Sequence, residues 1–181
     1  MGGIVLVVHQ TDMNRGIALA RLFTGKPILV VPGGARRQDS VRAGVDALPF
    51  GVEWVAIHDA ARPLLTPKFL NAVLAGARAR GSAILALPVL DTAKRENGRG
   101  HILKTVPRQG LWLAQTPQVF RVARLKEALH RAGRRDVTDD AMLMERMKQP
   151  VKLVPGSPWN IKVTTKEDIP IVEGLLKRWK K

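Results

Sequence analysis

The residues of this sequence best suited to chemistry sit together at positions 58–62, where His58, Asp59, Ala60, Ala61 and Arg62 follow one another. Asp59 can hold Mg2+ through oxygen and Arg62 can present a planar fork to phosphate oxygens, and neither is needed to pack a core. A carboxylate and a guanidinium so close together suggest a phosphate ligand with a divalent metal. The commoner alternative for such a pair is an ion pair that closes a loop. Lys162 is a further cation to consider. It lies between apolar Ile161 and Val163, and strand alternation would turn it to the face opposite both.

Several elements must position these groups. The apolar run at 54–57 (WVAI) reads as a strand buried on both faces, and a charged pair just past it falls where open α/β sheets bind ligands. Thr66 as N-cap and Pro67 in the first turn then start a helix on Phe69, Leu70, Val73, Leu74 and Ala77, which Gly81 ends. Upstream, strands at 4–9 and 28–31 enclose a short helix at 17–23, a β-α-β unit with a right-handed crossover. Residues 32–41 (PGGARRQDSV) follow. Their glycines allow close backbone approach, and Asp39 or Ser40 caps a helix on Val41, Val45 and Leu48. Taken alone, this stretch also fits a plain turn and cap.

Downstream, 82–89 is another strand, and 96–100 is a turn within an arm spanning 91–108. An arm of this size has little core of its own, so its apolar residues require a partner surface. Pro117 is expected to end the strand of 111–120 at a bend. A helix at 121–135 uses Leu125, Ala128, Leu129 and Ala132, and Thr138 caps another at 142–147. Strands at 151–154 and 161–163 precede a last helix on Ile169, Val172, Leu175 and Leu176, opened by Thr165 and Asp168.

The formal net charge of +15 points to polyanionic ligands. The basic residues, among them Arg36-Arg37, Lys94-Arg95, Arg134-Arg135 and 177–181, are spread along the chain with few aromatics for base stacking. That spread fits solvated faces and a phosphate-rich small-molecule site better than a nucleic-acid surface. With no cysteine there is neither a disulfide nor a thiolate metal site. No apolar run approaches membrane-spanning length and no signal core opens the chain, so no membrane partner and a cytoplasmic location are expected.

The string HDAARP at a strand end resembles the signature of the 2-C-methyl-D-erythritol 4-phosphate cytidylyltransferases, enzymes of the non-mevalonate isoprenoid pathway. PGGARRQDSV, PVLDTAKR, LWLAQTPQVF, TDDA and NIKVTTKED agree with the same family in order along the chain. The resemblance implies an α/β fold with a Rossmann-like mixed, mostly parallel sheet flanked by helices. It also implies a single nucleotidyltransferase-like domain over 1–181, within which 91–108 is a protruding dimerisation β-arm. The implied reaction is transfer of CMP from CTP to a sugar-alcohol phosphate with Mg2+ or another divalent cation. Gly33, Gly34, Ala35 and Ser40 would then bind the base, with Arg37 supporting their loop. Thr92 and Arg108 would reach the acceptor of the other protomer in a homodimer. Arg62 and Lys162 would contact phosphate, Asp59 the metal, and Ala60, Thr116 and Thr138 would be further substrate-binding positions.

The sequence departs from the family at its start, where a strand and an LAAGxGxRM loop that holds the triphosphate are not found. Loss of that loop is expected to slow transfer by at least ~10⁴. A gap, a rearranged pairing between the strands at 4–9 and 54–57, or an exposed edge is also expected. A ribitol phosphate cytidylyltransferase, an inactive homologue and a basic nucleic-acid-binding domain are the alternative readings.

Overall fold

The computed structural model describes residues 2–133 and 135–179, the last by its backbone alone; Met1, Arg134, Lys180 and Lys181 lie outside the described residues. The fold is mixed α/β, and the chain divides into two compact units, Met1–Ile57 with Phe120–Pro150 and His58–Val119 with Val151–Lys181. No helix among the described residues is long and apolar enough to cross a membrane.

In the first unit, β1 (Ile4–Val8) and β2 (Ile28–Pro32) pair in parallel around α1 (Met13–Arg21), which gives the expected β-α-β unit. The helix begins and ends earlier than its sequence suggested, because a 3-10 turn at Gln10–Asp12 already starts the coiling. These two strands form a sheet of their own, and β3 (Trp54–Ile57) is not part of it. A new pairing of β1 with β3 is not formed, and β3 stands at an edge of a four-stranded sheet. β3 is accordingly only half-buried, with Ala56 exposed, and not covered on both faces as its apolar run suggested.

α2 (Arg37–Asp46) follows β2, and its N-cap is Arg36, not Asp39 or Ser40. Asp39 sits one turn inside and accepts the Arg36 N–H at 3.2 Å, so it supplies the acceptor from within the helix. α4 (Val122–Ala132) buries Val122, Leu125, Ala128, Leu129 and Ala132, the stripe read from its 3.6-residue period, and packs on α5 (Ala141–Arg146). Thr138 does not cap α5. Asp140 occupies that position, and the Asp139 side chain accepts the Met142 N–H at 3.0 Å.

The second unit holds the most continuous core. β4 (Ser82–Pro88) is buried from Ser82 to Ala86, and it pairs in parallel with β8 (Lys152–Pro155). α3 (Pro67–Arg80) has the Thr66 cap, the Pro67 start and the left-handed Gly81 stop expected of it. It lies close on these strands at Gly76, where an added Cβ would stand 2.9 Å from Val154 Cγ2. β7 (Trp112–Arg121) runs through Pro117 instead of ending there, with 115–120 all buried. The proline removes one ladder donor, and the Thr116 carbonyl beside it accepts the Asn160 side chain at 2.8 Å.

β5 (Ala93–Glu96) and β6 (Ile102–Val106) form the antiparallel arm, with Ile102 67% and Leu103 61% exposed. Residues 161–163 are not a strand; their backbone is tied to the rest by the Val163 N–H, which donates to the Ala61 carbonyl at 2.8 Å. α6 (Asp168–Trp179) closes the chain. Asp168 accepts the Thr164 and Thr165 N–H groups at 2.8 and 2.9 Å, and Val172 is the one buried residue of its apolar stripe.

Candidate functional site

Past the end of β3 the chain makes a tight turn in which the Arg62 N–H donates to the Asp59 carbonyl at 2.9 Å. This turn brings Asp59 and Arg62 to one side, with Arg62 Nε 3.7 Å from Asp59 Oδ2. The bond from Val163 to Ala61 carries the neighbouring Lys162 to the same place, where its Nζ lies 3.0 Å from Asp59 Oδ2. Asp59, Arg62 and Lys162, expected separately from sequence, are thus one cluster. Arg62 is anchored by Nη1, which donates to the Asn160 carbonyl at 2.7 Å, while its buried Nε has no hydrogen-bond partner among the described residues. Burial pushes the Arg62 guanidinium below its ordinary value, and the Asp59 carboxylate opposes that shift.

A second tier of groups fixes the turn. The Arg62 carbonyl can only accept, so the His58 Nε2 at 3.0 Å from it carries the ring proton. His58 Nδ1 then accepts the Thr116 hydroxyl at 3.0 Å, and the Thr116 oxygen accepts the Asp59 N–H at 3.0 Å. Burial lowers the His58 pKa from its ordinary 6.5, which keeps the ring neutral as this chain of bonds requires. Thr116 is itself buried, so its contribution to the site runs through the Asp59 backbone. His58 and Asn160 were not singled out from sequence, although both lie within the strings HDAARP and NIKVTTKED.

Ala60 is exposed on the turn. Thr92 and Arg108 are exposed at the base of the arm, where Arg108 donates to the Leu90 carbonyl, and no described bond joins either to Arg62 or Lys162. Among the described residues no group of His, Asp or Glu side chains could hold a metal ion by itself.

In the first unit, the loop after β2 gathers Gly33, Gly34, Ala35 and Ser40. The Gly34 N–H donates to Ser40 Oγ at 3.1 Å, and Ser40 Oγ donates to the Arg36 carbonyl at 3.3 Å. An added Cβ on Gly33 would stand 2.7 Å from Ser40 Oγ, so the loop backbone and the serine fit only without a side chain there. Arg36 locks the first turn by donating to both Asp39 oxygens at 2.9 and 2.7 Å, and its guanidinium holds the Asp39 carboxyl below the ordinary range. Arg37 reaches farther. Its Nη2 meets Asp140 Oδ2 at 2.6 Å, and the Asp140 side chain is fully buried. Nothing local in the sequence signalled Asp140 as the partner of Arg37. Thr138 is exposed two residues away.

A backbone-lined loop beyond one strand and a carboxylate with two cations beyond another define an α/β protein of the nucleotidyltransferase class. The chain belongs to the 2-C-methyl-D-erythritol 4-phosphate cytidylyltransferase (IspD) family, whose model matches residues 1–178. It is 45% identical over 179 residues to the 2-C-methyl-D-erythritol 4-phosphate cytidylyltransferase of Pelotomaculum thermopropionicum, covering 96% of this chain and 75% of that protein. It is 42% identical over 177 residues to the bifunctional enzyme IspD/IspF of Desulfotalea psychrophila, covering 98% of this chain but less than half, 46%, of that protein. The structure of 4-diphosphocytidyl-2C-methyl-D-erythritol synthase from Anaerococcus prevotii superposes with a TM-score of 0.88 at 28% identity, over 98% of this chain and 82% of that one. The corresponding cytidylyltransferase from Thermus thermophilus gives 0.80 at 29% identity, over 98% of this chain and 100% of that one.

Proposed function

We propose that this chain transfers CMP from CTP to 2-C-methyl-D-erythritol 4-phosphate. A phosphate oxygen of the acceptor attacks the α-phosphorus of CTP in line, a new P–O–P link forms, and pyrophosphate leaves. No general base is required, because a phosphate oxygen is already a nucleophile. The observation that carries this reading is the cluster of Asp59 with Lys162 at 3.0 Å and Arg62 at 3.7 Å, together with a buried Arg62 Nε–H that has no hydrogen bond among the described residues. A guanidinium anchored at one nitrogen, with an unmet N–H donor at another and a lysine beside it, suits a phosphate.

In this reading Arg62 and Lys162 hold phosphate, while Gly33, Gly34, Ala35 and Ser40 read the cytosine from a loop that Arg37 ties to Asp140. Ala60, Thr116 and Thr138 complete the substrate contacts, Thr116 by fixing Asp59. Asp59 is the carboxylate of this cluster, which fits Mg2+ held by one protein oxygen together with nucleotide phosphates and water. Bound there, the ion would supply charge neutralisation.

Thr92 and Arg108 act on the partner's acceptor in a homodimer built by the arm, whose exposed Ile102 and Leu103 need cover. Deleting residues 96–103 should give a monomer by sedimentation, and an unchanged dimer would remove the arm from the account.

The activity is tested by pyrophosphate release with CTP, Mg2+ and either 2-C-methyl-D-erythritol 4-phosphate or ribitol 5-phosphate. Release with the erythritol phosphate alone is expected. Release with ribitol phosphate alone, or with neither, overturns the proposal.

A further inference from the structure

A pocket in the first unit is lined by none of the residues given a role above. It is an open cleft of about 370 Å³ lined by Arg131 and Ala132 of α4, Arg135 after that helix, and Leu143, Arg146 and Met147 of α5 and its end. Ala132 and Leu143 are buried and give the pocket an apolar floor. Its volume is at the lower end of the range usual for small-ligand sites.

The polar side of the lining is entirely cationic. Two of the arginines are already fixed. Arg131 meets Glu127 at 2.6 Å, and Arg146 Nη2 donates to the Asp136 carbonyl at 2.8 Å. Glu127 cannot neutralise the group, because it also meets Arg124 at 3.2 Å. A carbonyl leaves the Arg146 charge uncompensated. The Arg135 side chain has no hydrogen bond or ion pair among the described residues. Basic side chains in the last turn of a helix ordinarily answer the partial negative charge of its carbonyls. Arg131 and Arg146 are so placed, but Arg135 lies beyond α4 and has no such function.

We propose that this α4–α5 pocket is a binding site for a phosphate ester that carries a short aliphatic group. The arginines would take the terminal oxygens and the Ala132, Leu143 and Met147 floor would take the aliphatic part. Three guanidinia match the three terminal oxygens of a phosphate monoester, whereas a carboxylate offers two. The high positive charge of the chain would raise the local concentration of any such anion. The inference is independent of the transfer activity and stands or falls without it.

Hexyl phosphate is a suitable probe. The full chain is titrated with hexyl phosphate, inorganic phosphate and hexanoate by calorimetry, and the methionine methyl resonances are followed by NMR in the hexyl phosphate series. Hexyl phosphate should bind at least about tenfold more tightly than either control and should shift the Met147 methyl saturably. Arg135→Ala, which breaks no bond of the fold, should weaken it about tenfold or more, and Arg62→Ala should leave it unchanged. Equal binding of inorganic phosphate, an unmoved Met147 methyl, or loss of affinity in Arg62→Ala instead of Arg135→Ala would each overturn the proposal.

Discussion

The loops that follow β2 and β3 are built on opposite principles. After β3 the site is made of side chains: a carboxylate and two cations within 3.7 Å, aligned by a neutral histidine and a threonine hydroxyl. After β2 it is made of backbone, with glycines pressed against Ser40 and the first turn of α2 locked by Arg36 and Asp39. Charge organises the first and shape the second. Substitutions that keep shape and remove charge should therefore damage the β3 turn and spare the β2 loop, and added volume should do the reverse.

The largest expected effect is that of Asp59→Asn, which keeps shape and removes charge. It should lower Mg2+-dependent pyrophosphate release on the order of 10²–10³ while leaving thermal stability nearly unchanged. Activity within a few-fold of the parent would place the metal elsewhere and dissolve the contrast. Next in size is Gly34→Ala. Its Cβ would collide with the Asp39 side chain in the first turn of α2, where neither backbone can give way cheaply. A loss of about 1–3 kcal/mol in thermal unfolding and a fall in cytidine affinity are expected, with affinity for the acceptor unaltered. Full stability in that variant would show that the loop is looser than its contacts suggest.

The smallest effect sharpens the comparison through pH. Arg36 holds the folded-state pKa of Asp39 below its ordinary 3.8. The contribution to stability is therefore complete above 3.8 and is lost as pH falls through the lower folded value. Asp39→Asn should flatten the acid limb of a stability-against-pH curve and leave the neutral range nearly level. An acid limb as steep as the parent's would remove Asp39 from the lock.

Much of this arrangement was legible in the sequence, and the exceptions have physical causes. The helix starting at Thr66 and Pro67 and the α4 stripe were plain because caps and a 3.6-residue period are local signals. The β3 turn could be placed because its residues are contiguous. The Asp140 partner of Arg37 and the Asn160 anchor of Arg62 lie 103 and 98 residues away, and only the folded chain brings them together. Residues 161–163 show how short a pattern can mislead: apolar alternation over so few residues fits a strand, but they form none, and Val163 bonds to Ala61 while Lys162 pairs with Asp59. Pro117 misled in the other direction, since β7 tolerates one missing donor with Asn160 bonding beside it. Thr138 and Ser40 were reasonable caps by type, but neighbouring Asp140 and Arg36 took the cap positions.

Calorimetric titration of the chain and of Lys162→Met with 2-C-methyl-D-erythritol 4-phosphate bears most directly on the cluster beyond β3. Methionine keeps an unbranched stem one atom shorter and removes the charge, and Lys162 is 43% exposed, so the fold should tolerate the change. If Asp59, Arg62 and Lys162 form the phosphate site, the variant should bind the acceptor at least about tenfold more weakly than the parent. Equal affinity in the two proteins would contradict that assignment.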